Sequence, residues 1–264
     1  MRVGVFDSGL GGLTVLNRAL DILPEENFLY YADVDHVPYG EKTREQIVDY
    51  VDSAVGYMVD EGCKAIVIAC NTATSAGVDF LRKKYDFLPI IGIEPAVKPA
   101  VLHFSKGKRV LVIATPITVQ GEKLKKLIET YDKDNIVDKA ALSELVNFAE
   151  KGIFDTDIIV PYLHDALKDY NPEDYGVLVL GCTHFNFFKD SFRIVMPDTE
   201  IIDGSTGSAA YLKTRMEEEG LLATKADSSP HEEKVIYVES GRVVTDKKEL
   251  EKIDKLCKRW RELN

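Results

Sequence analysis

The sequence lacks any apolar run long enough to cross a bilayer. The one behind Met1-Arg2 stops at Asp7, too short for a signal peptide or a membrane span. A basic excess is missing too: 33 Lys and Arg stand against 44 Asp and Glu, for a net charge of −11, and no cluster reaches the density of a nucleic-acid or lipid-binding patch. Nucleic acid and membrane are thus not expected partners, and the chain reads as cytoplasmic. Cysteine is scarce, and the 4 residues Cys63, Cys70, Cys182 and Cys257 form no CxxC and sit near no CxxH. No metal site is expected from that spacing, and in a reducing compartment the thiols stay unpaired. Low-complexity segments and coiled-coil repeats are absent as well.

What the chain does have is two short runs that read almost alike, AIVIACNTATS at Ala65–Ser75 and VLVLGCTHF at Val177–Phe185. Each is a stretch of branched apolar residues without polar alternation, the mark of a strand buried on both faces. Each ends in a small residue, a cysteine and hydroxyl or amide side chains. That places Cys70 and Cys182 at the carboxyl ends of two interior strands, where open α/β sheets bind ligands. Upstream of each lies a second apolar run, Val3–Phe6 ending in Asp7-Ser8-Gly9 and Val110–Ile113 ending in Ala114-Thr115-Pro116. Asp7 precedes Cys70 by 63 positions and Thr115 precedes Cys182 by 67. The match predicts an α/β protein of two similar, pseudo-duplicated domains with mainly parallel sheets, and if the two halves face each other a site lies at their interface. The expected division is 1–96 with 208–264 as the Cys70 half, and 97–207 as the Cys182 half. At 264 residues and 45% apolar composition, a sizeable core is expected.

Along the chain, Asp7-Ser8-Gly9-Leu10-Gly11-Gly12 opens a helix whose Leu13, Leu16, Leu20 and Leu23 keep helical spacing. A dinucleotide fingerprint is incomplete there, because Thr14 stands where a third glycine belongs. Asp7 also fits a helix cap. Strands are expected at 28–31, 90–93, 200–203 and 234–239, with helices at 43–61, 74–84, 120–131 and 208–219. Residues 135–175 read as mainly helical, with Glu150-Lys151-Gly152 as a helix end. The stretch 223–233 reads as a mobile polar linker, and a final helix with Leu250, Ile253, Leu256, Trp260 and Leu263 on one stripe is expected to pack on the first half.

A free thiol is only a few per cent ionised at neutral pH, so a working thiolate needs a helix amino end or a nearby base. Cys182 has His184 beside it, and the first half offers Asp7 to Cys70. Two thiols facing each other across a ligand suit removal of a proton from one face of a carbon and its return on the other. Ser8, Asn71, Thr72, Thr118 and Thr183 could hold the ligand's carboxylates through neutral donors.

At these residues the chain resembles the glutamate racemases, cofactor-independent enzymes that supply D-glutamate for peptidoglycan. GVFDSGLGGLTVL at 4–16, VPYG at 37–40, ACNTAT at 69–74 and GCTH at 181–184 carry the resemblance in that family's order. It spans nearly the whole chain and is thin between 119 and 175. The resemblance implies that Cys70 removes the α-proton of D-glutamate and Cys182 that of L-glutamate, with Asp7 and His184 assisting and neither cofactor nor metal. It further implies substrate contacts from Ser8, Tyr39, Gly40, Asn71, Thr72, Thr118, Thr183 and Glu150. Family members are often dimers, so a homodimer is carried over as an expectation. The chain departs from the family's usual pattern at His36, Ala140-Ala141 and Phe185-Asn186. Aspartate or another acidic amino acid is the neighbouring alternative substrate, although Thr74 stands where aspartate racemases tend to have histidine. A cysteine amidohydrolase would leave Cys70 unexplained, and a non-catalytic acidic-amino-acid-binding protein would not need either thiol.

Overall fold

The computed structural model describes residues 1–105, 107–230 and 233–264. The first part of the chain runs β1 (Arg2–Asp7), α1 (Leu13–Ile22), β2 (Phe28–Ala32), a 3-10 turn at Tyr39–Glu41, α2 (Arg44–Asp60), β3 (Cys63–Ile68), α3 (Asn71–Lys84) and β4 (Ile90–Gly92). A short α4 (Val97–Pro99) then leads through a wide turn to β5 (Arg109–Ala114), α5 (Pro116–Gln120), α6 (Glu122–Tyr131), β6 (Val137–Ala141), α7 (Glu144–Glu150) and α8 (Thr156–Ala166). After β7 (Tyr175–Leu180) come a 3-10 turn at Thr183–Phe188, α9 (Lys189–Val195), β8 (Glu200–Asp203), α10 (Ser205–Glu218), β9 (Val235–Glu239), β10 (Arg242–Val243) and α11 (Lys247–Leu263).

The runs without polar alternation are the central strands. β1 lies between β2 and β3, and β5 between β6 and β7, all parallel. The sheets have the orders β10-β9-β2-β1-β3-β4 and β6-β5-β7-β8, so the core order of the first is repeated by the second. The repeat extends to detail. β1 slips register against β3 between Arg2 and Val3, and β5 slips against β7 between Arg109 and Val110. Within the otherwise parallel sheets, only the β10 edge of the first is antiparallel among the described residues.

β6 is an addition to the expectation of a mainly helical 135–175, which otherwise holds in α7 and α8. Its sequence, VDKAA, alternates around polar residues and buries only Ala140, as an edge strand does. Asp138 of β6 takes two hydrogen bonds from Arg109, at 2.6 and 2.7 Å, and so joins the edge to β5. Two helix starts also differ from expectation. α3 begins at Asn71, because Cys70 caps it by accepting from the Ala73 N–H at 3.4 Å. α10 begins at Ser205, whose N–H donates to Asp203 Oδ1 at 2.7 Å. α2 starts where Thr43 and Gln46 form a reciprocal capping box.

One apolar cluster joins the two sheets, with Val3, Val5 and Val67 of the first continuous with Leu111, Leu178 and Phe185 of the second. Phe185, Phe187, Phe188 and Phe192 are all fully buried in it, each contributing about 1.5–3 kcal/mol by removal from water. α11 does more than cover the first half. Its Cys257 meets Asn17 of α1, while Arg259 donates to the Phe187 carbonyl at 2.8 Å and pairs with Asp190. The helix therefore fastens both halves. The polar segment 223–233 and the residue stretch leading into it make several hydrogen bonds to the first half among the described residues. Glu26 accepts from the Ala223 N–H, Asn27 bonds to Asp227 and Ser229, and Lys64 bonds to the Leu221 carbonyl; residues 231 and 232 lie outside the described residues. Among the described residues no helix is long and apolar enough to cross a membrane.

Candidate active site

The carboxyl ends of β1, β3, β5 and β7 converge on a cavity of about 20 Å³. From the first half Ser8, Tyr39, Gly40, Cys70, Asn71 and Thr72 line it; from the second come Thr115, Ser143, Val146, Cys182, Thr183 and His184. A larger hollow of about 440 Å³ lies between α1, β9 and α11. It sits away from the strand ends, and its one thiol, Cys257, already accepts from Asn17. The small cavity is where the chemistry collects.

On the first wall Cys70 Sγ lies 3.5 Å from Ser8 Oγ. Burial, reinforced by the negative charge of Asp7, pushes this thiol up to about 12. Asp7 does not cap α1, whose cap position is Gly12; its Oδ1 accepts from the Gly9 N–H at 3.0 Å, and its Oδ2 accepts from Thr183 Oγ1 at 3.1 Å. Burial raises the Asp7 carboxyl to about 6, against the pull of His184 and these two hydrogen bonds.

On the second wall His184 Nδ1 lies 3.9 Å from Cys182 Sγ, and its Nε2 lies 2.7 Å from Glu150 Oε1. Burial works against the imidazolium, but the hydrogen bonds and charges of Cys182 and Glu150 hold His184 well above its usual range. Burial is the largest single influence and likewise opposes the Glu150 carboxylate, but the bond and charge of His184 and the Leu10 N–H bond together outweigh it, leaving Glu150 below its usual range. Nε2 so protonated points at Glu150, and the Gly11 N–H at 3.3 Å sits beside the ring without a lone pair to use. Glu150 accepts a second bond from the Leu10 N–H at 2.7 Å.

The glycine-rich turn is explained by this crowding. A Cβ on Gly9 would meet the Glu150 carboxylate, and one on Gly11 would meet the His184 ring and Thr183 Oγ1. The turn lets backbone from the first half approach side chains of the second. Along one side runs a hydroxyl chain, Thr72 to Thr115 at 2.9 Å and Thr115 to Thr118 at 3.2 Å. Asn71 Oδ1 is buried without a protein partner among the described residues. Such an arrangement offers two proton carriers, one from each half of the chain, with neutral groups between them.

The family description "Asp/Glu/Hydantoin racemase" matches residues 14–212. The chain belongs to the Asp/Glu/hydantoin racemase family. It is similar to a glutamate racemase of Lachnospira eligens, 51% identical over 98% of this chain and 97% of that one. A glutamate racemase of Campylobacter curvus is 47% identical, again over 98% of this chain and 97% of that one. Among solved structures, glutamate racemase from Francisella tularensis in complex with D-glutamate superposes with a TM-score of 0.81 at 26% identity, covering 97% of this chain and 93% of that one.

In this racemase-family chain the residues singled out from sequence fall into two groups. Cys70, Cys182, His184, Ser8, Tyr39, Gly40, Asn71, Thr72 and Thr183 all line the cavity. Asp7, Thr118 and Glu150 stand behind them, bonded to lining residues. Asp7 reaches across to Thr183, whereas Ser8 is the hydroxyl beside Cys70. Sequence reasoning left Thr115 out of the site, although its spacing to Cys182 marked it as the counterpart of Asp7. Ser143 and Val146, next to and within α7, were also missed, and no local signal announces them. The departures from the family pattern lie outside the lining: His36 stacks on Tyr50, Ala140 and Ala141 end β6, and Phe185 is core while Asn186 donates to the Thr183 carbonyl. Among the described residues no three His, Cys, Asp or Glu side chains cluster as a metal site would require.

Proposed function

We propose that this chain interconverts L- and D-glutamate by two-base proton transfer at Cα, and so supplies D-glutamate for peptidoglycan. The observation that carries this reading is the pair of buried thiols, Cys70 and Cys182, one from each half of the chain, lining one cavity at the ends of duplicated strands. A single base tends to return a proton to the face it left; two bases allow inversion. In this reading Cys70 takes the α-proton of D-glutamate while Cys182 delivers one to the opposite face, and the roles exchange for L-glutamate.

Each thiol has its own support. His184, held by Glu150, lies against Cys182 and serves it in both directions, passing it the proton it delivers and taking back the one it removes. Cys70, lacking a cation, stays a thiol until the ammonium group of the amino acid arrives and offsets the field of Asp7. Asn71 Oδ1 is an acceptor suited to that ammonium. Ser8, Thr72, Thr115, the Thr183 backbone and the Tyr39-Gly40 turn provide neutral donors for the two carboxylates, with Thr118 bonded behind Thr115. The reading includes a cytoplasmic location and a homodimer, the latter checked by sedimentation.

The deciding experiment follows the circular dichroism of D-glutamate with purified protein. Decay of the signal to zero, abolished by Cys70→Ala and by Cys182→Ala, is the expected result. A steady signal with both thiols titratable would overturn the glutamate reading, and the same assay on D-aspartate would then identify the alternative substrate.

A further inference from the structure

Tyr39 forms part of the pocket wall, yet its hydroxyl is taken up by a protein partner. It donates to Asp33 Oδ2 at 2.6 Å, with the phenol and the carboxylate both buried. Asp33 lies just beyond the end of β2 and is a hub. His36 Nδ1 lies 2.8 and 2.9 Å from its two oxygens, and Ser240 Oγ donates to Oδ1 at 3.1 Å. A ring nitrogen facing a carboxylate carries its proton, so three side chains donate to one buried anion.

Ser240 belongs to the turn between β9 and β10, far along the chain from Tyr39. Its φ of 44° aims the hydroxyl inward, its N–H donates to the Ala32 carbonyl at 2.8 Å, and its Oγ accepts from the Asp35 N–H at 3.1 Å. Arg242 of β10 locks the same turn through a two-pronged pair with Asp35 at 2.8 Å. The hairpin thus grips the Asp33–Asp35 segment from two sides. His36 is itself braced by stacking on Tyr50 at 3.7 Å.

We infer that Ser240 is a positioning residue for the reaction: the β9–β10 hairpin holds Tyr39-Gly40 against the substrate through the chain Ser240–Asp33–Tyr39. A buried carboxylate tolerates loss of a donor poorly, and it recovers by shifting toward those that remain. Without the Ser240 hydroxyl, Asp33 and the bonded Tyr39 move together, and the Gly40 backbone moves with them. The Tyr39-Gly40 wall meets the substrate equally in ground and transition states, so its displacement raises KM and leaves kcat in place.

This inference rests on the glutamate racemase reading, and the wild-type enzyme in the same assay checks that reading first. The experiment measures kcat and KM for D-glutamate in Ser240→Ala, Tyr39→Phe and the double variant. KM is expected to rise about threefold to tenfold in Ser240→Ala with kcat within about twofold of wild type, and Ser240→Ala is expected to add nothing in the Tyr39→Phe background. Ser240→Asn, which tolerates positive φ and returns a polar side chain, is expected to bring KM part of the way back. A role confined to folding would lower the melting temperature and the active fraction, hence apparent kcat, and leave KM alone. That pattern, or additive effects in the double variant, would overturn the inference.

Discussion

His184 Nε2 and Glu150 Oε1 are 2.7 Å apart, and this bond joins α7 to the turn that carries Cys182. The carboxylate keeps a buried imidazole charged beside a thiol. Glu150→Gln keeps the shape and removes the charge, so His184 gives up its proton at lower pH. The alkaline limb of the kcat/KM profile is expected to move to lower pH, and kcat near neutrality to fall on the order of tenfold. Racemisation rates across pH, followed by circular dichroism, measure both; an unmoved limb would remove His184 from the ionisations that matter.

Asp7 gives a stability prediction of definite sign. Its carboxyl binds a proton more tightly in the folded chain, about 6, than at its ordinary 3.8. The favourable contribution is therefore complete below 3.8 and is lost as pH rises through about 6, a difference on the order of 3 kcal/mol. Asp7→Asn does not titrate. Its stability relative to wild type should improve between about pH 4 and pH 7, read from urea midpoints, while its kcat falls. A pH-independent difference would contradict this.

Gly11 tolerates no side chain. In Gly11→Ala the new methyl would press on the His184 ring and Thr183 Oγ1, which are themselves packed. The expected cost is about 1–3 kcal/mol of stability, with a loss of activity larger than the unfolded fraction explains. Urea unfolding and active-site titration on the same preparation separate the two.

Thr115→Val replaces a hydroxyl by a methyl at nearly constant volume and breaks the chain from Thr72 to Thr118. Both neighbours lose a partner beside the cavity. KM for glutamate is expected to rise about threefold to tenfold, with about 1 kcal/mol lost from stability. Steady-state kinetics and a thermal melt test it.

The strands were legible where both faces are buried. In β1, β5 and β7 no polar residue breaks the apolar run, and in β3 only Lys64 near its start does, because each has a strand on both sides and helices or sheet above and below. β6 was not legible: an edge strand needs one apolar face at most, and VDKAA imitates a helix fragment. The site divides the same way. Cys70, Thr115 and Cys182 are announced by their places at strand ends, whereas Ser143 and Val146 reach the cavity only through the packing of α7, which no spacing encodes. The stripe on α11 declared one buried face. That two halves share it is a property of the assembled core, and Arg259 looks like any surface arginine until Phe187 and Asp190 are beside it.

β9 and α11 follow both cysteines in the chain, yet β9 flanks β2 in the Cys70 sheet and α11 pins the turn behind Cys182. A ribosome that has just made β8 has already produced every side chain of the cavity and none of these fastenings. Folding during synthesis proceeds from the amino end, so the walls emerge before the pieces that hold them in register. The order of birth thus runs opposite to the order of restraint: catalytic competence arrives late, when the carboxyl-terminal segment clasps two half-sites that have been waiting for it.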